Sequence, residues 1–198
     1  MNPPDFFTTA HLREKGASGT TLRFLYYPPL ANTDANVEDV RAGAHSDYGS
    51  ITMLFRLKGQ AGLEILTNEN TWAPVPVTPP GTENDPAPPI LVNIGDLLSY
   101  WTNGLLRSTV HRVVFGGASK GVVNGEGDSE GRYSMAFFCH PVGTMTLSAV
   151  PSERVKDFNA PKDASVGNPY AERKMITADE HLQMRLRASY LQLYKDKE

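Results

Sequence analysis

A single cysteine, Cys139, stands in the 198 residues. A lone thiol closes no intramolecular disulfide, so the fold has to rest on its core, and a reducing compartment is expected. No segment approaches the ~20 consecutive apolar residues of a membrane-spanning helix. The N-terminus, MNPPDFFTTAHLREK, has no basic start followed by an apolar stretch, so it is not expected to be a secretory signal. One-sided charge is missing too. The net charge is −3 with acidic and basic residues interspersed, which speaks against a nucleic-acid or membrane-surface partner. The cytoplasm is the default location on these grounds.

An apolar share of 40% against 21% charged is that of a globular chain with a sizeable core, and the length suits one domain spanning 1–198. Residues Asp5 to Lys15 read as a short helix with Phe6, Phe7 and Ala10 on one side, broken by Gly16 to Gly19. TTLRFLYY, Thr20 to Tyr27, is strand-like and is ended by Pro28-Pro29. A polar loop from Ala31 to Asp39 follows, and then a strand from Ser50 to Leu57. GLEILT is a short strand, and the prolines of TWAPVPV demote that stretch to an edge or a connection. ILVNIGDLLSYWTNG reads as a buried strand, a Gly95-Asp96 turn and a second apolar segment. TVHRVVFG and RYSMAFFCHP are further strands, separated by a glycine-rich insertion from Gly116 to Gly131, and Pro151 to Pro169 is loop-like.

Thr177 and Glu180 are spaced as a capping box. Leu182, Leu186, Tyr190 and Leu193 then recur at helical spacing, a stripe read as core packing. Many short strands with only terminal helices predict an all-β barrel or jelly roll without internal repeats.

The stretch AGAHSDYGSITMLF places His45 and Asp47 two residues apart. In extended chain such residues share a face, so imidazole and carboxylate can converge while Ser46 points away. A second histidine on a distant strand would complete a 2-His-1-carboxylate set, the ligand set of non-haem Fe(II) oxygenases, and His111 is the candidate. The competing reading is a hydrogen-bonded pair on a polar turn beside a structural strand histidine. Arg132 and Ser134 form another i, i+2 pair, a fork of donors and a hydroxyl suited to a carboxylate. His11, His140 and His181 are expected to lie outside the site.

HSDYGSITMLF, GLEIL, VNIGDLLSYWTNG, STVHRVV and RYSMAFF, in that order, resemble the Fe(II)/2-oxoglutarate oxygenases of the isopenicillin N synthase-like family over Leu22 to Pro141. The resemblance implies a double-stranded β-helix, a distorted jelly roll, with flanking N- and C-terminal helices. It implies His45, Asp47 and His111 as iron ligands, Arg132 and Ser134 on the distal carboxylate of 2-oxoglutarate, and Tyr27 as a further contact. The implied reaction is oxidation of a small organic molecule by O2, with release of succinate and CO2. Alternatives are an oxidase of the same family that does not consume 2-oxoglutarate, or an inactive metal-binding barrel. Leu25 stands where many relatives carry an asparagine that contacts the cosubstrate. Relatives also carry a longer region before the first matched strand, so this chain corresponds to the C-terminal catalytic barrel. A short natural member, a mispredicted gene product and a fragment all fit that start. The face of RYSMAFFCHP bearing Tyr133, Met135, Phe137 and Cys139 needs a covering layer. Only the two terminal helices are available for it, so an exposed apolar patch and self-association are expected.

Overall fold

The computed structural model describes residues 5–29, 39–115, 131–158 and 175–195, with side chains up to residue 189. The expected loop before residue 39, the glycine-rich insertion, most of the loop after residue 158, and the side chains of Tyr190 and Leu193 lie outside this set. Among the described residues eight strands form two four-stranded antiparallel sheets. The first has the order β1 (Thr21–Tyr27), β8 (Arg132–Cys139), β3 (Ile51–Arg56), β6 (Leu91–Ile94). The second has the order β2 (Asp39–His45), β7 (His111–Phe115), β4 (Leu63–Leu66), β5 (Trp72–Pro74). The chain passes repeatedly from one sheet to the other, and the two sheets enclose a common interior: a jelly roll, as expected. β5 is an edge strand, which is where its proline, Pro74, can be tolerated.

Alternation sets the inner face. In the first sheet Tyr27 is paired with Arg132, Leu25 and Arg56 with Ser134, and Thr52 with Phe138 and Asn93. Residues directly opposite one another share a face, so Tyr27, Arg132, Ser134 and Asn93 all look inward. In the second sheet His111 lies between His45 and Ile65. The opposite face of the first sheet carries Leu22, Phe24, Tyr26, Tyr133, Met135, Phe137, Met53 and Val92.

The structure departs from the sequence reading at β2, α2 and α3. β2 is a strand that the sequence does not announce, because DVRAGA has neither β-branched density nor apolar alternation. The segment after Gly95 is a helix, α2 (Asp96–Trp101), and Pro151–Pro169 contains a helical turn, α3 (Glu153–Lys156). The terminal helices do not cover the outer face as a layer. α1 (Phe6–Ala10) packs Phe6 and Phe7 edge-on against the fully buried Trp101, at ring distances of 5.7 and 5.8 Å. Such pairs add about 0.5–1.5 kcal/mol each beyond area burial. That cluster meets the first sheet at Ile51 and Ile94. α4 (Ala178–Lys195) begins at the expected capping box, in which the Thr177 amide donates to Glu180 at 2.7 Å and the Glu180 amide to Thr177 Oγ1 at 3.2 Å. It lies across the turn after β2. Phe24 therefore stays 78% exposed, and Leu22, Tyr26, Tyr133 and Val92 stay about half exposed. Among the described residues no helix is long and apolar enough to cross a membrane.

Candidate metal and cosubstrate site

His45 is the last residue of β2, and Asp47 sits in the turn that follows. The pair is thus not on one extended strand as expected. What converges them is a turn pinned by backbone bonds: Asp96 N donates to Asp47 O at 2.7 Å, Leu97 N to Gly49 O at 3.1 Å, and Ser50 N to Cys139 O at 2.8 Å. Two glycines permit this approach. A Cβ at Gly49 would lie 2.4 Å from the Cys139 carbonyl, and one at Gly95 2.2 Å from the Gly49 carbonyl. His111 opens β7 directly opposite His45.

The three ligand atoms of His45, Asp47 and His111 lie within 4.8 Å of one another. His111 Nε2 is 3.7 Å from Asp47 Oδ1, inside the ~3–4 Å expected of donors on one ion with bonds of about 2.0–2.2 Å. The full set is looser than that range, and the two imidazole rings are 4.4 Å apart. Asp47 is buried and His45 exposed, so the cluster opens toward solvent on the His45 side.

The surroundings prepare all three groups. His45 Nδ1 lies 2.7 Å from the Gly43 carbonyl, and His111 Nδ1 3.1 Å from that of Thr109. A carbonyl only accepts, so each Nδ1 carries the proton and each Nε2 keeps its lone pair for the centre. Burial lowers the His111 pKa, opposed by the Asp47 carboxylate and reinforced by His45, which favours the neutral ligating form. Asn93 Nδ2 donates to Asp47 Oδ2 at 2.8 Å, leaving Oδ1 toward the histidines. The donor set and its orientation fit a divalent transition ion.

A cavity of about 100 Å³ runs inward from these residues between the sheets to Tyr27, Arg132 and Ser134. Arg132 is buried. Its Nε donates to Ala61 O at 3.0 Å, its Nη1 lies 3.5 Å from Ser134 Oγ, and its guanidinium sits 5.4 Å from the Tyr27 ring centre. Burial lowers its pKa, partly offset by Tyr27, and Arg56 acts in the same direction as burial. Among the described residues no carboxylate forms an ion pair with Arg132. A buried guanidinium without a counter-charge is costly, and this end of the cavity therefore favours an anion. Leu25 lines the wall and offers no amide to a guest there.

A family model for the 2OG-Fe(II) oxygenase superfamily matches residues 18–141, more than half of the chain. The chain belongs to that superfamily. Members use Fe(II), 2-oxoglutarate and O2. A proline hydroxylase, buaE of Petromyces alliaceus, is 35% identical over 136 residues, 67% of this chain and 39% of its own length. UPF0676 protein C1494.01 of Schizosaccharomyces pombe is 44% identical over 115 residues, 56% of this chain and 32% of its own. The crystal structure of a full-length Neurospora crassa protein in complex with alpha-KG and thymine superposes with a TM-score of 0.64 at 30% identity, covering 94% of this chain and 48% of that one. The chain thus spans a third to a half of the length of these relatives.

All six site residues read from the sequence line one continuous interior, and His11 and His181 stand apart from it. The structure adds residues that the sequence reading does not supply. Asn93 is one, its only signal a lone amide inside the apolar strand ILVNIG, and Arg56, buried beside Ser134, is another. A further addition is the bracing of the turn by α4. Arg185 Nε lies 2.9 Å from Asp96 Oδ2, which also accepts from Ser46 Oγ at 3.0 Å, and Tyr48 OH bonds Ser189. His140 stands outside the ligand cluster as expected, but lines a neighbouring cavity.

Proposed function

We propose that this superfamily member is a 2-oxoglutarate-dependent oxygenase of a small organic molecule, with His45, Asp47 and His111 holding Fe(II). Arg132 and Ser134 receive the distal carboxylate of 2-oxoglutarate, with Tyr27 beside them. The observation that carries this reading is the single cavity joining an oriented His-Asp-His cluster to a buried guanidinium with no ion-pair partner among the described residues. Iron held by these three residues would supply O2 activation coupled to conversion of 2-oxoglutarate to succinate and CO2.

The chain's residues do the rest. The Nδ1 bonds to Gly43 and Thr109 hold both imidazoles in one tautomer, and Asn93 holds the carboxylate. Arg132 and Ser134 fix the far end of the cosubstrate, which sets the position of its 2-oxo acid end. The walls formed by Leu54, Leu63, Ile65 and Val113 exclude water around it. The Neurospora crassa protein is known bound to thymine, and buaE is named a proline hydroxylase, which supports a small organic molecule as the substrate here. Self-association through the exposed face around Phe24, Tyr26 and Tyr133 belongs to the same reading, since an uncovered apolar face of this kind favours association.

The test is anaerobic titration of the full chain with Fe(II) and then 2-oxoglutarate. A weak visible charge-transfer band that saturates with both additions is expected. A protein that binds neither refutes the assignment, and one that binds iron without 2-oxoglutarate leaves only a metal-binding barrel.

A further inference from the structure

His45 and Asp47 line two cavities. One leads inward to Arg132. The other, about 300 Å³, opens on their far side and is bounded by Arg23, Tyr48, Phe138, His140, Leu182 and Leu186. The strand explains how Arg23 reaches it. Arg23, Leu25 and Tyr27 alternate onto the inner face of β1, so Arg23 stands at the mouth of the interior that Tyr27 lines more deeply. Its guanidinium lies 5.6 Å from the centre of the Phe138 ring, and among the described residues it has no carboxylate partner.

A second observation comes from His140. It is only 7% exposed, yet it lines this cavity, and among the described residues its ring makes no hydrogen bond. Its backbone is fixed by Thr20, whose Oγ1 donates to His140 O at 3.1 Å and accepts from His140 N at 3.0 Å. The ring fits because two neighbours lack side chains: a Cβ at Gly49 would come within 2.9 Å of Nε2, and one at Gly19 within 3.2 Å of the ring. A buried imidazole without a partner is a polar group that a guest can satisfy. Phe138, Leu182 and Leu186 offer the guest an apolar wall.

We propose that this second cavity receives the molecule to be oxidised, and that this molecule is a small carboxylic acid with an apolar body. Its carboxylate faces Arg23, its body lies on Phe138, Leu182 and Leu186, and His140 takes a polar atom. The apolar body is thereby placed beside the open side of the ligand cluster. This inference rests on the oxygenase reading and adds the substrate class.

The test uses the full chain loaded with Mn(II), which does not turn over, and saturating 2-oxoglutarate. Binding of 3-phenylpropanoate and of its uncharged amide is compared by calorimetry. We expect the acid to bind about fivefold more tightly, the scale of a solvent-facing ion pair of ~1 kcal/mol. Arg23→Gln, a change at an exposed position that leaves the core intact, should abolish the preference. Equal affinities, no binding of either probe, or a preference that survives Arg23→Gln overturns the proposal. So does acid binding that weakens as 2-oxoglutarate rises, because the acid then occupies the cosubstrate cavity. Loading itself is measured first: failure to bind Mn(II) and 2-oxoglutarate overturns the oxygenase reading and this inference together, whereas normal loading without acid preference overturns this inference alone.

Discussion

Asn93→Leu isolates what the shell around the ligands contributes. The replacement keeps the volume of the side chain on β6 and deletes one donor, the Nδ2–H that meets Asp47 Oδ2 at 2.8 Å. Asp47 is 6% exposed, so water cannot readily replace the lost bond. A hydrogen bond to a charged group contributes about 1.5–3 kcal/mol. Deleting a partner of a metal ligand typically costs about 10–100-fold in metal affinity, or roughly 1.4–2.7 kcal/mol. The two routes agree. One effect opposes them: without Asn93 the carboxylate keeps more charge and becomes a more basic ligand. Orientation should win, because Asn93 decides which oxygen faces His111. Freed, the carboxylate samples rotamers in which neither oxygen completes the cluster. The assay is Mn(II) titration read by the electron paramagnetic resonance signal of free Mn(II), with circular dichroism confirming the fold. A loss of about 10–100-fold is expected. A change of less than about twofold in a folded variant would show that Asp47 is oriented by something other than Asn93 and would refute the reasoning.

Three further outcomes follow from the same geometry. Arg132→Lys replaces the fork facing Ser134 with a point charge and should weaken 2-oxoglutarate binding about 10-fold or more, measured by calorimetry on the Mn(II)-loaded protein; unchanged affinity would remove Arg132 from the cosubstrate site. His181 is fully buried in α4, and burial, with Arg185 and His140 adding to it, lowers its pKa to about 4. Its unfolded pKa is near 6.5, so between these values only the unfolded chain takes up the proton. Stability is therefore full above pH 6.5 and falls as pH drops toward 4, by on the order of 3 kcal/mol from this group, and urea titrations of His181→Gln should show a shallower acid limb than the parent. Phe24→Glu on the outer face should shift sedimentation toward monomer without changing 2-oxoglutarate affinity; unaltered association would place the contact elsewhere.

The candidate cluster was legible because the proposed chemistry demands particular residue types in order: an HxD, a strand histidine, and an Arg-x-Ser beyond it. The inner face of β8 was legible because period-two alternation separates Arg132 and Ser134 from Tyr133 and Met135 without ambiguity. The outer face was equally readable, and the exposed ring stack of Tyr26 on Tyr133, 4.6 Å apart, is its direct result. The conformation at Asp47 was not legible. An extended HxD and a turn both bring His45 and Asp47 together, and what selects the turn is a set of backbone bonds to Asp96, Leu97 and Cys139 from two other segments. β2 is hidden because small residues such as Ala42 and Gly43 carry little strand signal, even though Ala42 pairs with Val113 of β7. Asn93 and Arg56 are polar residues in apolar strands, a pattern that marks an interior polar site once noticed.

The placement of α4 changes how the site's two halves should be understood. From the sequence this helix is a cover for the barrel, with Leu182 and Leu186 as core. In the fold those leucines wall the second cavity, and Arg185 reaches the residue between His45 and Asp47, donating to Ser46 Oγ at 3.2 Å and facing Asp96 at 2.9 Å. Burial raises the Asp96 pKa, and Arg185, with the Ser108 and Ser46 hydroxyls, opposes that rise. Asp96 in turn opens α2, whose first amides hold the Asp47 and Gly49 carbonyls. The turn carrying Asp47 is thus held from one side by β8 through Cys139 and from the other by α2 and α4. His111 is carried by the other sheet. The ligand cluster therefore forms only where the two sheets and both helices meet. A local opening of α4 would remove the Arg185 and Ser189 braces from the Asp47 turn and unwall the second cavity, while leaving in place the backbone bonds to α2 and Cys139, and Arg132 and Ser134 on their strand. On the proposed assignment, ordering of the C-terminal helix should therefore affect binding at the His45–Asp47–His111 cluster and in the second cavity more than binding at Arg132 and Ser134.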